Sequence, residues 1–208
     1  MSKTLLLMRH AKSSWKDKEL KDFDRPLKKR GLEAAKLVGK TLVITDSLPD
    51  AVLTSPAKRA SETADLVIEN SGYQGTTEYF DSFYMGEPED YINVLRELPD
   101  ELDRVLVIGH NPGLEALLQV LEGKVNALPT GAVAFLELEL KHWRDLNPST
   151  VGELVNFWDP DEMDLEEIEE KMAKDKKDKE KKVEKKEEKK DKKVKKEKKE
   201  KKEKKGKK

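Results

Sequence analysis

The sequence predicts an α/β fold: a three-layer sandwich with a mostly parallel central sheet and an antiparallel C-terminal hairpin, followed by a charged low-complexity tail. Three observations carry this. Leu5-Leu6-Leu7-Met8, Ala51-Val52-Leu53 and Val105-Leu106-Val107-Ile108 are short apolar runs bounded by polar residues, the pattern of strands buried on both faces. Segments with apolar residues at helical spacing lie between them, and strands alternating with helices give a largely parallel sheet with helices on it. The last two apolar segments, 131–140 and 151–157, are separated only by a turn at Asn147-Pro148 and so pair as a hairpin.

The first strand, from Thr4, ends abruptly in Arg9-His10. After a polar stretch, helix signals begin at Arg25-Pro26-Leu27 and run through Ala34, Leu37, Val38 and Leu42, which form one stripe. Pro49-Asp50 turns the chain into the second strand, 51–54. Ser55-Pro56 then reads as an N-cap with proline at the first helical position, with Ala60, Ala64, Val67 and Ile68 as the buried face and Ser71-Gly72 as the stop. Residues 76–80 form a third strand and 81–89 a loop. A helix comes next with Ile92, Leu95 and Leu98 inward, then the strand 104–109. Asn111-Pro112 repeats the cap-plus-proline start, and Leu114, Leu117, Leu118 and Leu121 are its stripe. In 131–140 the apolar run gives way to alternation (Glu137, Leu138, Glu139, Leu140), which places this strand half exposed near a sheet edge.

Composition bounds the rest. The 208 residues contain no cysteine, which excludes a disulfide framework and thiolate metal ligation. No signal-peptide pattern and no apolar run of about 20 residues is present, so the expected location is the cytoplasm. The near-neutral total hides two unlike parts. Residues 1–160 hold 19 Lys/Arg against 26 Asp/Glu, and residues 161–208 hold 23 Lys against 17 Asp/Glu. The second part has too few apolar residues to build a core. The expected organisation is one folded domain over 1–160 and a Lys/Glu-rich tail over 161–208, disordered or a solitary charged helix. Such a tail can attract an anionic partner, although interleaved acids and missing aromatics argue against nucleic acid.

The chemistry gathers where the strands end. In open α/β sheets, ligands bind at the carboxyl ends of the strands. His10 and His110 each come directly after a buried strand. Either one alone would be read as merely closing its strand, but two in the same context, with an arginine beside one, suggest a small anion pocket. Arg9 precedes His10, and Arg59 lies about one turn into the helix begun at Ser55-Pro56. Helix starts favour anions, and the planar arginine fork matches phosphate. Arg9, Arg59, His110 and the Asn111-Pro112-Gly113 helix start thus converge on His10 as a small anion pocket. Zinc bound by His10, His110 and His142 is the weaker reading, because the ligand spacing is wrong. Trp143 and Trp158 read as packing residues.

The set Arg9-His10-Ala11, Ser55-Pro56-x-x-Arg59-Ala60-x-x-Thr63-Ala64 and Gly109-His110-Asn111 resembles the histidine phosphatase (phosphoglycerate mutase-like) superfamily. Arg9 to Trp15 together with Asp24-Arg25-Pro26-Leu27 and Arg30-Gly31 resembles its SixA-like phosphohistidine phosphatase branch. The common family motif has glycine where Ala11 stands, and the branch tolerates alanine. The resemblance implies that His10 attacks phosphorus, that Arg9, Arg59 and His110 hold the phosphoryl group, and that no metal or cofactor is needed. It implies a phosphohistidine protein as substrate. A small-molecule phosphate ester and a non-enzymatic phosphate-binding adaptor are the alternatives. Asp81 is the nearest match to the family's general acid, with Glu87 and Glu89 in the same loop. Two readings of Arg25 are open, lining the pocket mouth or pairing with Asp24 or another acid. Asn111 is a further candidate for substrate binding.

Overall fold

The computed structural model describes residues 2–124, 126–170 and 173–174. Strands β1 (Lys3–Arg9), β2 (Ala51–Thr54), β3 (Thr76–Tyr79), β4 (Arg104–Gly109), β5 (Val133–Leu138) and β6 (Gly152–Trp158) form one sheet in the order β3-β2-β4-β1-β5-β6. Pairings among β1 to β4 are parallel, while β5 runs antiparallel to both β1 and β6. Helices α1 (Lys29–Ile44), α2 (Lys58–Ser71), α3 (Pro88–Arg96) and α4 (Gly113–Glu122) supply the outer layers.

Strand alternation sorts the core into two sides. Leu5, Leu7, Leu53, Val105 and Val107 pack with Tyr91, Ile92 and Leu95 of α3 and the leucines of α4. Leu6, Met8, Val52, Leu106 and Ile108 pack with Val38 and Leu42 of α1 and Ala60, Ala64 and Val67 of α2. Truncating one of these fully buried leucines to alanine would cost about 2–5 kcal/mol. Trp143 is fully buried with its indole N–H on the Leu102 carbonyl, and Trp158 packs edge-on against Phe135.

Four local expectations are corrected. The first helix begins at Lys29, not Arg25, because the chain before it is committed elsewhere. Leu27 bridges Ser13, its N–H is taken by Glu62 Oε2 at 2.6 Å, and Lys28 N–H bonds the Lys12 carbonyl. Gly31 is required there, since a methyl group would collide with the Lys12 carbonyl. Neither Ser55 nor Asn111 is an N-cap. Ala57 and Pro112 hold those positions, and both polar side chains turn to other partners. Finally, β5 does lie next to an edge strand, β6, but it is not half exposed, because β1 and β6 flank it and the sheet faces are covered. In β5 only Glu137 is exposed.

One compact unit spans Met1–Leu165. Within it Asp161 pairs with Arg30, and Met163 packs on the α1/α2 side of the core. Of the expected tail, 161–170 and 173–174 are described and helix begins at Leu165; the remainder lies outside the described residues. Among the described residues, no helix is long and apolar enough to cross a membrane.

Candidate active site

The parallel strands point their carboxyl ends at one place. β1 delivers Arg9 and then His10, β4 delivers His110, and β2 leads through Ser55 into α2, whose second residue is Arg59. His10 N–H donates to the Gly109 carbonyl, which locks the two strand ends together. Ala11 N–H donates to Thr63 Oγ1, whose hydroxyl donates in turn to the Arg59 carbonyl. Helix α2 therefore holds both the residue after His10 and the guanidinium that faces it. The resulting cavity measures about 190 Å³. Arg9, His10, Arg25, Arg59 and Lys12 line it, together with Trp15.

His10 is almost fully buried, and its ring hydrogen bonds fix its tautomer. Nδ1 lies 2.8 Å from the Ala11 carbonyl, which can only accept, so Nδ1 carries the proton. Nε2 is left with a lone pair and receives the Arg59 Nε–H at 3.2 Å. Burial, followed by the charges of Arg59, Arg9 and Arg25, pushes the His10 pKa down to about 4 against the pull of the Ala11 carbonyl. The imidazole is thus neutral at physiological pH.

His110 packs 5.0 Å from His10, ring centre to ring centre. Burial, then His10 and Arg59, lowers its pKa to about 3. Its Nε2 lies 2.9 Å from Ser55 Oγ, while Nδ1 is buried with no hydrogen-bond partner among the described residues. Arg9 donates through Nη1 to the Leu128 carbonyl, and its Nε is likewise buried without a partner among the described residues. Asn111 Nδ2 donates to the same carbonyl, tying the start of the His110 turn to the residues that hold Arg9.

Asp22 is a member of this cluster that sequence reasoning missed. It sits in a 3-10 turn, Asp22–Asp24. Its Oδ2 accepts from Arg59 Nη2 and from the Tyr84 hydroxyl, both at 3.0 Å, and its Oδ1 accepts from Arg25 at 2.6 Å. Arg59 Nε and Nη2 form one edge of the guanidinium, so His10 Nε2 and Asp22 Oδ2 share the edge that would grip a phosphoryl group. Burial alone would raise the Asp22 pKa, but the bonds from Arg25 and Tyr84 and the charge of Arg59 bring it below the usual carboxylate range. Nothing in the polar stretch 11–24 distinguishes Asp22 from its acidic neighbours Asp17, Glu19 and Asp24.

Arg25 does both things expected of it. It lines the cavity and pairs with an acid, though that acid is Asp22 rather than Asp24. Its guanidinium lies 3.2 Å from the centre of the Trp15 ring. Asp81 is not brought to this cluster. It is exposed at the start of a 3-10 turn, Asp81–Phe83, and does not line the cavity. Glu87 and Asp90 form a capping box at the start of α3. His142 pairs with Asp100, away from His10 and His110. A larger cavity of about 620 Å³ beside β3 and α3 contains none of the candidate site residues.

Comparison with known proteins bears on the fold and the family. The family model described as "Histidine phosphatase superfamily (branch 1)" matches residues 5–104. An uncharacterized protein of Mycobacterium tuberculosis is 34% identical over 164 residues, covering 74% of this chain and 99% of its own. Two solved structures named as candidate phosphohistidine phosphatases SixA are similar along nearly their whole length. The one from Nakamurella multipartita is 26% identical with a TM-score of 0.67, covering 77% of this chain and 97% of that one. The one from Agrobacterium tumefaciens is 25% identical with a TM-score of 0.66, covering 77% and 99%.

Proposed function

The chain belongs to the histidine phosphatase superfamily, in its SixA-like branch, and is thereby a phosphatase; from that premise we propose that it removes phosphate from phosphohistidine on a protein. His10 Nε2 is the nucleophile. Its lone pair forms a bond to phosphorus as the P–N bond to the substrate histidine breaks, leaving phospho-His10. Water then attacks phosphorus, and the His10 P–N bond breaks to release inorganic phosphate. Arg9, Arg59 and His110 hold the phosphoryl oxygens, and catalysis is positioning plus charge stabilisation. Arg25 supports this from the pocket wall, and Asn111 acts indirectly through the Leu128 carbonyl that also holds Arg9.

The observation that carries the choice of substrate is the state of Asp22. The carboxylate bound to Arg59 is kept ionised by its arginines and Tyr84, so it is poorly suited to donate a proton. An alkyl phosphate expels an alkoxide, which needs that proton. Phosphohistidine expels an imidazole, which can carry its proton on the distal nitrogen before the bond breaks. A site with a neutral histidine nucleophile and no ready acid therefore suits phosphohistidine. The test is kcat/KM of the full chain on a phosphohistidine protein and on an alkyl phosphate. A clear preference for the protein is expected. A preference for the ester would move the assignment to a small-molecule phosphatase.

A further inference from the structure

Membership of the family leaves open which nitrogen of the second histidine carries the proton. We propose that Ser55 is a positioning residue that fixes His110 as the Nδ1–H tautomer, so that His110 offers an N–H, not a lone pair, to a phosphoryl oxygen. The proposal rests on the reading of this cavity as a phosphoryl pocket.

Ser55 is fully buried and firmly placed. Its N–H donates to the Ile108 carbonyl at 3.0 Å, and its own carbonyl accepts from Thr54 Oγ1 at 3.2 Å. A serine hydroxyl has one proton to give and two lone pairs to fill. Ala57 N–H, at 3.3 Å, fills one lone pair of Ser55 Oγ. The remaining contact of that oxygen is His110 Nε2, at 2.9 Å.

Two arrangements are possible, and they differ in what they leave unpaired. If His110 Nε2–H donates to Ser55, the oxygen accepts twice, and its proton is buried without an acceptor. His110 Nδ1 is then a buried lone pair with no donor among the described residues, in a ring packed against His10 where the proposed phosphoryl group brings only oxygen acceptors. If Ser55 O–H donates to Nε2, every capacity of the serine used here is satisfied. The one group left over is His110 Nδ1–H, the nitrogen that is buried without a partner. A phosphoryl oxygen is the acceptor that completes it. Because burial keeps His110 neutral, one tautomer or the other must be chosen, and the serine chooses. The same logic operates at His10, where the Ala11 carbonyl sets the opposite need, a lone pair on Nε2.

The chain has three histidines, so the experiment is tractable. Histidine nitrogens of the full-length, 15N-labelled protein are read by NMR at neutral pH, with and without vanadate. His10→Ala and His142→Ala assign the signals. The expected result is a His110 ring protonated on Nδ1 in both states. Ser55→Ala should mix or invert the tautomer and weaken vanadate binding about ten- to hundredfold, the scale of one charge-assisted hydrogen bond. Ser55→Thr, which keeps the hydroxyl, should restore both. A wild-type His110 protonated on Nε2 overturns the proposal without any variant, so a Ser55→Ala protein that does not fold leaves the test intact. An unchanged tautomer and unchanged vanadate affinity in Ser55→Ala also overturn it. A wild-type protein that hydrolyses no phosphohistidine but shows the Nδ1–H ring would refute the substrate assignment and leave the role of Ser55 standing.

Discussion

The Nε–H of Arg59 points at Nε2 of His10 across 3.2 Å, which identifies the free lone pair of the pair of ring nitrogens. The neighbouring Nη2 of the same guanidinium holds Asp22. On the proposed reading a phosphoryl group binds at this edge within reach of His10 Nε2, while Asp22 steadies the guanidinium through Nη2. Nucleophile, anion grip and ionised carboxylate are therefore coupled through one side chain.

His10→Ala should abolish turnover while leaving the fold intact, because the ring sits at a strand end and the strand core below it is untouched. Wild type rapidly quenched during turnover of a radiolabelled substrate should contain labelled protein that mild acid discharges, as expected of a phosphoramidate. Label that survives acid would place the phosphate on another residue. Arg59→Ala should retain the fold and weaken vanadate binding at least tenfold, read by titration.

Acid should destabilise the protein through His10. Its pKa is about 4 when folded and about 6.5 when unfolded, so between these values the unfolded chain binds a proton that the folded site refuses. Stability therefore rises with pH across that window and falls as pH is lowered through it. The full effect is on the order of 3 kcal/mol. Urea unfolding at pH 5 and pH 7.5 should show about 2 kcal/mol of this effect, and His10→Ala should reduce the difference. An unchanged difference in the variant, or a His10 ring that titrates near 6.5, would contradict the buried neutral state.

Much of the site was legible in the sequence, and the reason is local. The runs at Leu5–Met8 and Val105–Ile108 can only be strands covered on both faces, and residues just past the ends of such strands in an α/β sheet lie at the ligand edge. That placed Arg9, His10 and His110 from the sequence alone. Arg59 came from its distance to a helix start. The sequence could not reveal Asp22, because its role depends on Arg25, Arg59 and Tyr84, which are far apart along the chain or in irregular segments. It also misjudged Ser55. Ser-Pro is a sound helix-start signal, but the helix begins two residues later with Ala57 as its N-cap, so Ser55 Oγ accepts the Ala57 N–H instead of capping the first turn and also meets His110 from the end of β4.

The tail should be dispensable for chemistry. Among the described residues none beyond residue 160 belongs to the candidate site, and the compact unit closes with Leu165. We propose that a chain ending at Leu165 folds and hydrolyses a small substrate at close to the full-length rate. Ending at Pro160 instead removes the Asp161–Arg30 pair and Met163, and should lower the melting temperature. If the lysines recruit an anionic partner, loss of the tail should weaken that binding and high salt should mimic the loss. A chain to Leu165 that fails to fold would refute the proposed independence of the domain.

The sharpest division between the two enzyme readings comes from Asp22 and Asp81 measured on two substrates. A general acid typically contributes 10²–10⁴-fold, roughly 3–5 kcal/mol, to expulsion of an alkoxide, and contributes little when the leaving imidazole is already protonated. Asp22 is held ionised, and Asp81 is exposed and off the cavity wall, so neither is placed to act as that acid. Asp81→Asn should change kcat/KM for both substrates by less than about threefold, since an exposed side chain off the cavity contributes little. Asp22→Asn weakens the clamp on Arg59 and Arg25, and through them the grip on the phosphoryl group. Its losses should be similar for phosphohistidine and alkyl phosphate, because both present the same group to those arginines. The ratio between substrates is therefore the decisive number, and it should be unchanged in both variants. A loss of a hundredfold or more on the alkyl ester alone, in either variant, would identify that residue as a working acid. The pocket would then be built for phosphate esters, and the phosphohistidine assignment would have to be given up.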